Sequence, residues 1–478
     1  MNDAEITEFR AVGHGLIDLI ADYLRDMEER PLFTKASPAE IEGLFDESVP
    51  RRGREAREVI EELKERLLPH CTHVSHPGYF GLITPSPAPM GILGDLLASA
   101  LNQNVGAWTI GPSATALERR CVRWLDDLIG FGPGAGGNLT SGGTMANFIA
   151  LKLARDRVSG DRAQHEGVRG RWRVYVSEER HVCMDKAVDA IGIGREGLQV
   201  LPTDAAFRVS LDSLEEAIAR DKAEGIRPLC VIGIAGTTNT GSIDPLAELR
   251  RIADREGMWF HVDACYGGGL LLSEEGRSLL AGVERADSVA LDPHKWFYAP
   301  LDAGAVLVRD ENRLTASFGM KPSYLTDEMD PEGHRYQYYV HGFEQSRRFR
   351  ALKVWMSFKR YGTVEMGRWV DANRAHARRL HELAEAHPSF ESAVEPRMSA
   401  VCLRYVTPGL SEAEAAALHR RVARRVEEEG RFWISTTELK GRTWFRVNPV
   451  NLRTRSEHMD ALLADLEALC RKDSAAAD

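Results

Sequence analysis

Between residues 86 and 365 the chain alternates helical stretches with short apolar runs, and this alternation limits the fold more than any other feature. The runs are Arg173 to Ser177, Leu229 to Ala235, Trp259 to Asp263, Ser288 to Asp292 and Gly304 to Val308. They read as buried strands, and strands separated by helices argue for an α/β domain with a mostly parallel sheet. Residues 1–85 read differently. Phe9, Val12, Leu16, Ile17, Ile20, Tyr23 and Leu24 recur at helical spacing, and Pro-rich breaks follow as far as His76-Pro-Gly-Tyr-Phe80. This helical segment has too little apolar surface for a core of its own and is expected to pack on something else, a second subunit being one option. Residues 366–478 offer a helix, a strand (Ala400 to Val406), a helix (Ser411 to Glu429), two strands (Arg431 to Ser435, Thr443 to Asn448) and a last helix, a small α+β domain.

Composition narrows the function classes. The net charge of −10 gives no general support to a polyanionic partner such as nucleic acid. Seven cysteines lie far apart without a Cys-x-x-Cys or Cys/His cluster, so neither a metal site nor a disulfide framework is expected, and scattered thiols suit a reducing cytoplasm. The N-terminus does not read as a signal peptide. No segment reaches the roughly 18 apolar residues of a membrane helix.

Five short motifs remain. Thr140-Ser-Gly-Gly-Thr144 follows a Gly-rich loop and opens a helix. Backbone N–H groups at a helix start, two glycines and the Thr144 hydroxyl suit a phosphate, although alone the run is equally a tight loop-to-helix turn. It is no Walker loop, since the Gly-Lys-Ser/Thr ending is missing. His181 follows the strand 173–177, where a histidine is either structural or placed to stack on a flat ligand. Thr238, in Gly236-Thr-Thr-Asn239, reaches the same edge and would otherwise be a turn residue. Asp263 ends a strand, as a cap or as a carboxylate for a ring nitrogen. Lys295, in Asp292-Pro-His-Lys-Trp296, is flanked by Pro293, His294 and Trp296 rather than by a run of charge.

Taken together, these residues fall in order on one predicted sheet edge, where open α/β sheets bind ligands. A strand-end lysine suits a Schiff base with pyridoxal phosphate (PLP), its pKa lowered by desolvation. A carboxylate at about 4 Å from the ring nitrogen, with an effective dielectric near 20, is worth on the order of 4 kcal/mol before desolvation, roughly three pK units. That is enough to keep the pyridine protonated as an electron sink.

From about residue 5 to about residue 470 the chain resembles the group II PLP-dependent decarboxylases, the family of aromatic-L-amino-acid, histidine and glutamate decarboxylases. His261-Val-Asp-Ala-Cys-Tyr266 and Asp292-Pro-His-Lys-Trp296 resemble its aspartate and lysine motifs, and Thr140-Ser-Gly-Gly-Thr144 its phosphate loop. Ser346 to Lys353 is similar to a stretch typical of the aromatic branch. The resemblance implies fold-type I architecture and an obligate homodimer with the N-terminal helices wrapped across the partner. It implies that Lys295 bonds the cofactor, Asp263 pairs with the ring nitrogen and His181 stacks on the ring. Gly143, Thr144, Asp292 and His294 would lie around the phosphate, and Thr238 near the ring and the substrate carboxylate. Tyr324 would belong to a lid that helps protonate the α-carbon. Relatives with phenylalanine there tend to make aldehydes oxidatively, so tyrosine favours plain decarboxylation.

The expected activity is therefore decarboxylation of an L-amino acid, an aromatic one in the first place, to the amine and carbon dioxide. Alternatives are an oxidative aldehyde synthase, a lyase acting on a phosphorylated amine, a decarboxylase of histidine or an acidic amino acid, and, remotely, a non-catalytic binding module. There are three departures, of which Cys265 bears on cofactor packing and oxidation and the other two on the substrate. Cys265 stands where many relatives have alanine. Gly106 falls where aromatic decarboxylases tend to carry a bulky side chain, and residues 84–89 lack an aromatic. Ser346 beside Arg347 is a candidate polar pocket wall.

Overall fold

The computed structural model describes residues 2–160, 163–320 and 334–475. The chain packs as two compact units, one of residues 83–381 and 393–402, the other of residues 1–82, 382–392 and 403–478.

The larger unit is built on a seven-stranded sheet. Its strands are β1 (Gly136–Thr140), β2 (Trp172–Ser177), β3 (Leu198–Leu201), β4 (Arg227–Ile234), β5 (Trp259–Ala264), β6 (Ser288–Leu291) and β7 (Gly304–Val308). Their order is β1-β7-β6-β5-β4-β2-β3. The pairs from β3 through β6 are parallel, whereas β7 runs antiparallel to both β6 and β1. The reason lies in the links. Helices such as Leu211–Ala223 and Leu246–Glu256 carry the chain back between parallel strands, while β6 and β7 are joined by a short connection without a helix, which allows only an antiparallel return. That connection holds the Asp292-to-Trp296 motif. Because β7 is the one reversed strand, the carboxyl ends of β1, β2, β4, β5 and β6 share one edge.

All the expected strands of this unit are present, and β1 and β3 are added to them. The helix Gly143–Val158 starts immediately after β1, and its buried residues Ala146, Ile149, Ala150, Leu153 and Ala154 join the core with Val174, Ile232, Ala290 and Val306.

In the other unit the helix Asp3–Arg25 starts with a capping box between Asn2 and Glu5, and none of its residues is buried. Downstream, Phe80 stacks on Phe432, Leu32 N donates to the Gly430 carbonyl, and Phe80 N donates to the Trp433 carbonyl. The N-terminal segment thus shares a unit with the C-terminal part of its own chain. The second sheet has the order β10-β11-β9-β8, with β8 (Phe390–Ser392), β9 (Val401–Tyr405), β10 (Ser435–Leu439) and β11 (Arg442–Val447). The expected strand at 431–435 is displaced: β10 is the polar run Ser435–Leu439, paired with β11 around Lys440 and Gly441, both at positive φ. Phe432 and Ile434 are buried without belonging to the ladder. Among the described residues no helix is long and apolar enough to cross a membrane.

Candidate active site

The shared carboxyl edge opens into a cavity of about 370 Å³ in the larger unit. Gly143, Thr144, His181, Thr238, Asp263, Asp292, His294 and Lys295 all line it. The remaining candidate, Tyr324, lies outside the described residues. Ser141, Asn147, Glu179, Cys183, Cys265 and Tyr266 complete most of the wall.

Asp263 is 7% exposed and held through both oxygens. Oδ1 accepts from the Cys265 backbone N–H at 3.1 Å, and Oδ2 accepts from the Asn147 side-chain amide at 3.2 Å. Asn147 was not a sequence candidate. The usable signal was its spacing: it lies one turn after Gly143, on the same helix face. His261 lies two residues before Asp263, so both side chains leave the same face of β5, and its Nε2 is 2.8 Å from Asn147 Oδ1. Full burial pushes the His261 imidazole down to about 4, so the ring is neutral.

Lys295 Nζ is 3.0 Å from Asp292 Oδ2, and the His294 Nε2 is 3.6 Å from the same oxygen. The sequence reading expected a lowered lysine pKa. The structure reverses this: burial works in that direction, but the carboxylates of Asp292 and Asp263 outweigh it and hold the lysine pKa above its ordinary value. His294 Nδ1 accepts from Ala303 N at 3.0 Å, which leaves the proton on Nε2, facing Asp292. His181 Nδ1 likewise accepts from Cys183 N at 3.2 Å. Burial, then Lys295, lowers the His181 pKa.

The helix Gly143–Val158, whose start also lines the cavity, has no side-chain N-cap. Gly142 sits at φ 146°, and a Cβ on Gly143 would lie 2.4 Å from Cys265 Sγ and 2.8 Å from Asp292 Oδ2. Bare backbone donors, an uncapped helix start and a close approach only glycine permits make a cradle for an anionic group. Asp292 Oδ1 is buried with no hydrogen-bond partner. An amine, a buried carboxylate, a flat imidazole and an uncapped helix start around one cavity fit pyridoxal phosphate. Cys265 is buried, and its thiol pKa is raised far above the ordinary value by burial and by Asp263, so it acts as an apolar wall.

Two readings of the substrate wall change. Arg347 is buried and bonds Glu118, the Leu139 carbonyl at 2.8 Å and the Val105 carbonyl at 3.2 Å, so it clamps the scaffold and does not line the cavity. A Cβ at Gly106 would meet the Gln345 carbonyl oxygen at 2.1 Å. Glycine is needed there by its own chain's backbone.

Comparison with known proteins agrees with this geometry. Residues 38–406 match the pyridoxal-dependent decarboxylase conserved domain. The chain is 32% identical to an aromatic-L-amino-acid decarboxylase of Bacillus atrophaeus, covering 98% of this chain and 96% of the relative. It is 31% identical to a phenylacetaldehyde synthase of Arabidopsis thaliana, covering 92% and 91%. Among solved structures, an Oryza sativa TDC with PLP and tryptamine superposes with a TM-score of 0.92 at 27% identity, covering 99% of each chain. The chain belongs to the pyridoxal-dependent decarboxylase family and is a PLP-dependent amino acid decarboxylase.

Proposed function

We propose that the protein decarboxylates an aromatic L-amino acid to its amine. One observation carries this: Lys295, Asp263, His181 and the Gly143-Thr144 helix start converge on a single cavity. Bound pyridoxal phosphate supplies the sink for the electron pair left when the α-carbon loses carbon dioxide. In this reading Lys295 Nζ would be the amine that holds the cofactor's aldehyde end. Asp263 holds the ring-nitrogen proton. His181 stacks on the ring. Gly143, Thr144 and His294 hold the phosphate, and Asp292 keeps Lys295 Nζ oriented and protonated until it is needed. Thr238 would orient the substrate carboxylate, and Tyr324 or His181 would deliver the proton to the α-carbon. Orientation and a fixed electrostatic environment are the protein's share of the rate.

The aromatic substrate is supported by the names of the relatives. The phenylacetaldehyde synthase also supports a second reading, oxidative aldehyde formation, against which the tyrosine at 324 stands. Release of carbon dioxide, amine, aldehyde and peroxide from tyrosine, tryptophan, phenylalanine, dopa, histidine and glutamate separates these readings. Amine from an aromatic substrate without peroxide is expected. Preference for glutamate or histidine, or aldehyde with peroxide, would replace it.

We further propose a homodimer. Leu93, Leu96, Leu97 and Leu101 are exposed on the helix Pro89–Leu101, and Ile6, Phe9 and Ile17 on the helix Asp3–Arg25, surfaces that a second copy would cover. Residues 1–85 then serve dimerisation, 86–365 hold the cofactor and 366–478 form the accessory domain. The seven free cysteines support a reducing, cytoplasmic location. A monomer by light scattering at micromolar concentration would refute the dimer.

A further inference from the structure

A chain of polar side chains runs through the core behind Asp263. Asn147, His261 and Ser288 are each almost fully buried, and Trp259 caps the chain. The distances are 3.2 Å from Asn147 Nδ2 to Asp263 Oδ2, 2.8 Å from His261 Nε2 to Asn147 Oδ1, 2.9 Å from Ser288 Oγ to His261 Nδ1, and 2.8 Å from Trp259 Nε1 to Ser288 Oγ.

The direction of every proton follows from the two ends. Asp263 as a carboxylate only accepts, so the Asn147 amide must turn its nitrogen toward it. That leaves Asn147 Oδ1 facing His261, which must carry its proton on Nε2. His261 Nδ1 is then bare and needs a donor. The Ser288 carbonyl, 3.2 Å from the same nitrogen, has no proton to give, so the Ser288 hydroxyl donates. Trp259 N–H, which can only donate, fills the remaining side of that hydroxyl. The second N–H of Asn147 faces Cys183 Sγ at 3.4 Å. Each member is satisfied, and reversing one would set two acceptors face to face in a dry core.

We propose that Asn147 is a positioning residue for the reaction: with His261 and Ser288 behind it, it fixes the plane of the Asp263 carboxylate against the cofactor's ring nitrogen. Cys265 N–H holds the other oxygen, so the carboxylate cannot rotate without losing a bond. The titratable groups facing Asp263 are Lys295, His181, His261, Cys183 and Cys265. Lys295 is the one cation among them. The proposal rests on the assignment of Asp263 to the ring nitrogen.

The test uses the PLP-loaded enzyme. Asn147→Leu, His261→Gln and Asp263→Ala are compared with wild type by pH titration of the bound cofactor's absorbance, by PLP dissociation, and by kcat and KM separately. Asn147→Leu is expected to move the titration midpoint by about one pH unit, to weaken PLP binding about tenfold, and to lower kcat with KM held within about twofold. His261→Gln, whose amide can still donate to Asn147, should shift the midpoint in the same direction as Asn147→Leu but by less. A folded Asn147→Leu enzyme with an unmoved midpoint and unmoved dissociation overturns the proposal. Asp263→Ala separates the two layers: if its titration is also unmoved, the Asp263 assignment falls, and if only Asp263→Ala moves it, the Asn147 proposal falls alone. Should Asn147→Leu not fold, ring-¹⁵N histidine spectra of the wild-type holoenzyme decide, with the His261 signal identified by its loss in His261→Gln. A neutral Nε2–H ring supports the chain, and an Nδ1–H ring refutes it.

Discussion

Lys295 Nζ and Asp292 Oδ2 are 3.0 Å apart, three residues along one tight connection between β6 and β7. Burial works against the charge, but the aspartate outweighs it and holds the lysine pKa above its ordinary value. Capture of PLP by apoprotein needs the neutral amine and should quicken as pH rises. Asp292→Asn removes the charge that holds the proton, so its capture profile should shift to lower pH by about one unit or more. Stopped-flow capture rates between pH 6 and pH 10 check this, and an unchanged profile would contradict it.

Gly143 faces Cys265 Sγ and Asp292 Oδ2 at distances that no Cβ tolerates. Gly143→Ala should weaken PLP binding by about tenfold or more, because the helix start must shift away from the phosphate. Adding Cys265→Ala removes the nearer obstruction and should recover part of the loss, a non-additive pair. Equal PLP affinity in the single and double variants would show that the thiol is not the obstruction.

Arg347 and Glu118 form a buried ion pair, and Glu118 also accepts from Leu139 N at 3.0 Å at the start of the route to the phosphate loop. Arg347→Ala leaves a buried carboxylate without its partner and should cost about 3–5 kcal/mol of stability. Denaturant unfolding measures it. A loss confined to activity, with stability intact, would return Arg347 to the pocket wall.

Asp126 is fully buried, and neither carboxylate oxygen has a hydrogen-bond partner. Burial pushes its carboxyl up to about 8 from an ordinary 3.8. The folded protein therefore binds this proton more tightly than the unfolded chain. The resulting stability is complete below about pH 4 and is lost as pH rises through about 8. Asp126→Asn should stabilise the folded protein at pH 8.5 by about 1 kcal/mol or more, seen as a higher melting temperature, and change its stability little at pH 4.5. The opposite pH trend would mean that a partner compensates the charge.

Most of this architecture was legible in the sequence, for physical reasons. β2 and β4 to β7 are apolar runs because both of their faces are covered. β1 is Gly-Gly-Asn-Leu-Thr, and nothing local marks it as a strand; a Cβ on Gly137 would lie 2.2 Å from the Val306 carbonyl, so tertiary packing alone calls for that composition. Asp263, His181 and Lys295 were legible because strand ends define a ligand edge. Asn147 was not, since its one signal, a place one helical turn after Gly143, means nothing until the carboxylate it serves is placed. Desolvation alone predicts a lowered Lys295 pKa, and the sequence does not show that Asp292, three residues away, folds back onto the amine.

The most direct test sets wild type beside Lys295→Ala, each supplied with PLP and an aromatic L-amino acid, and measures carbon dioxide and amine together with the visible absorbance of the protein-bound cofactor. Wild type should release carbon dioxide and amine in equal amounts and show the absorbance, and Lys295→Ala should lose both while remaining folded. Turnover and absorbance that survive in Lys295→Ala would contradict the account.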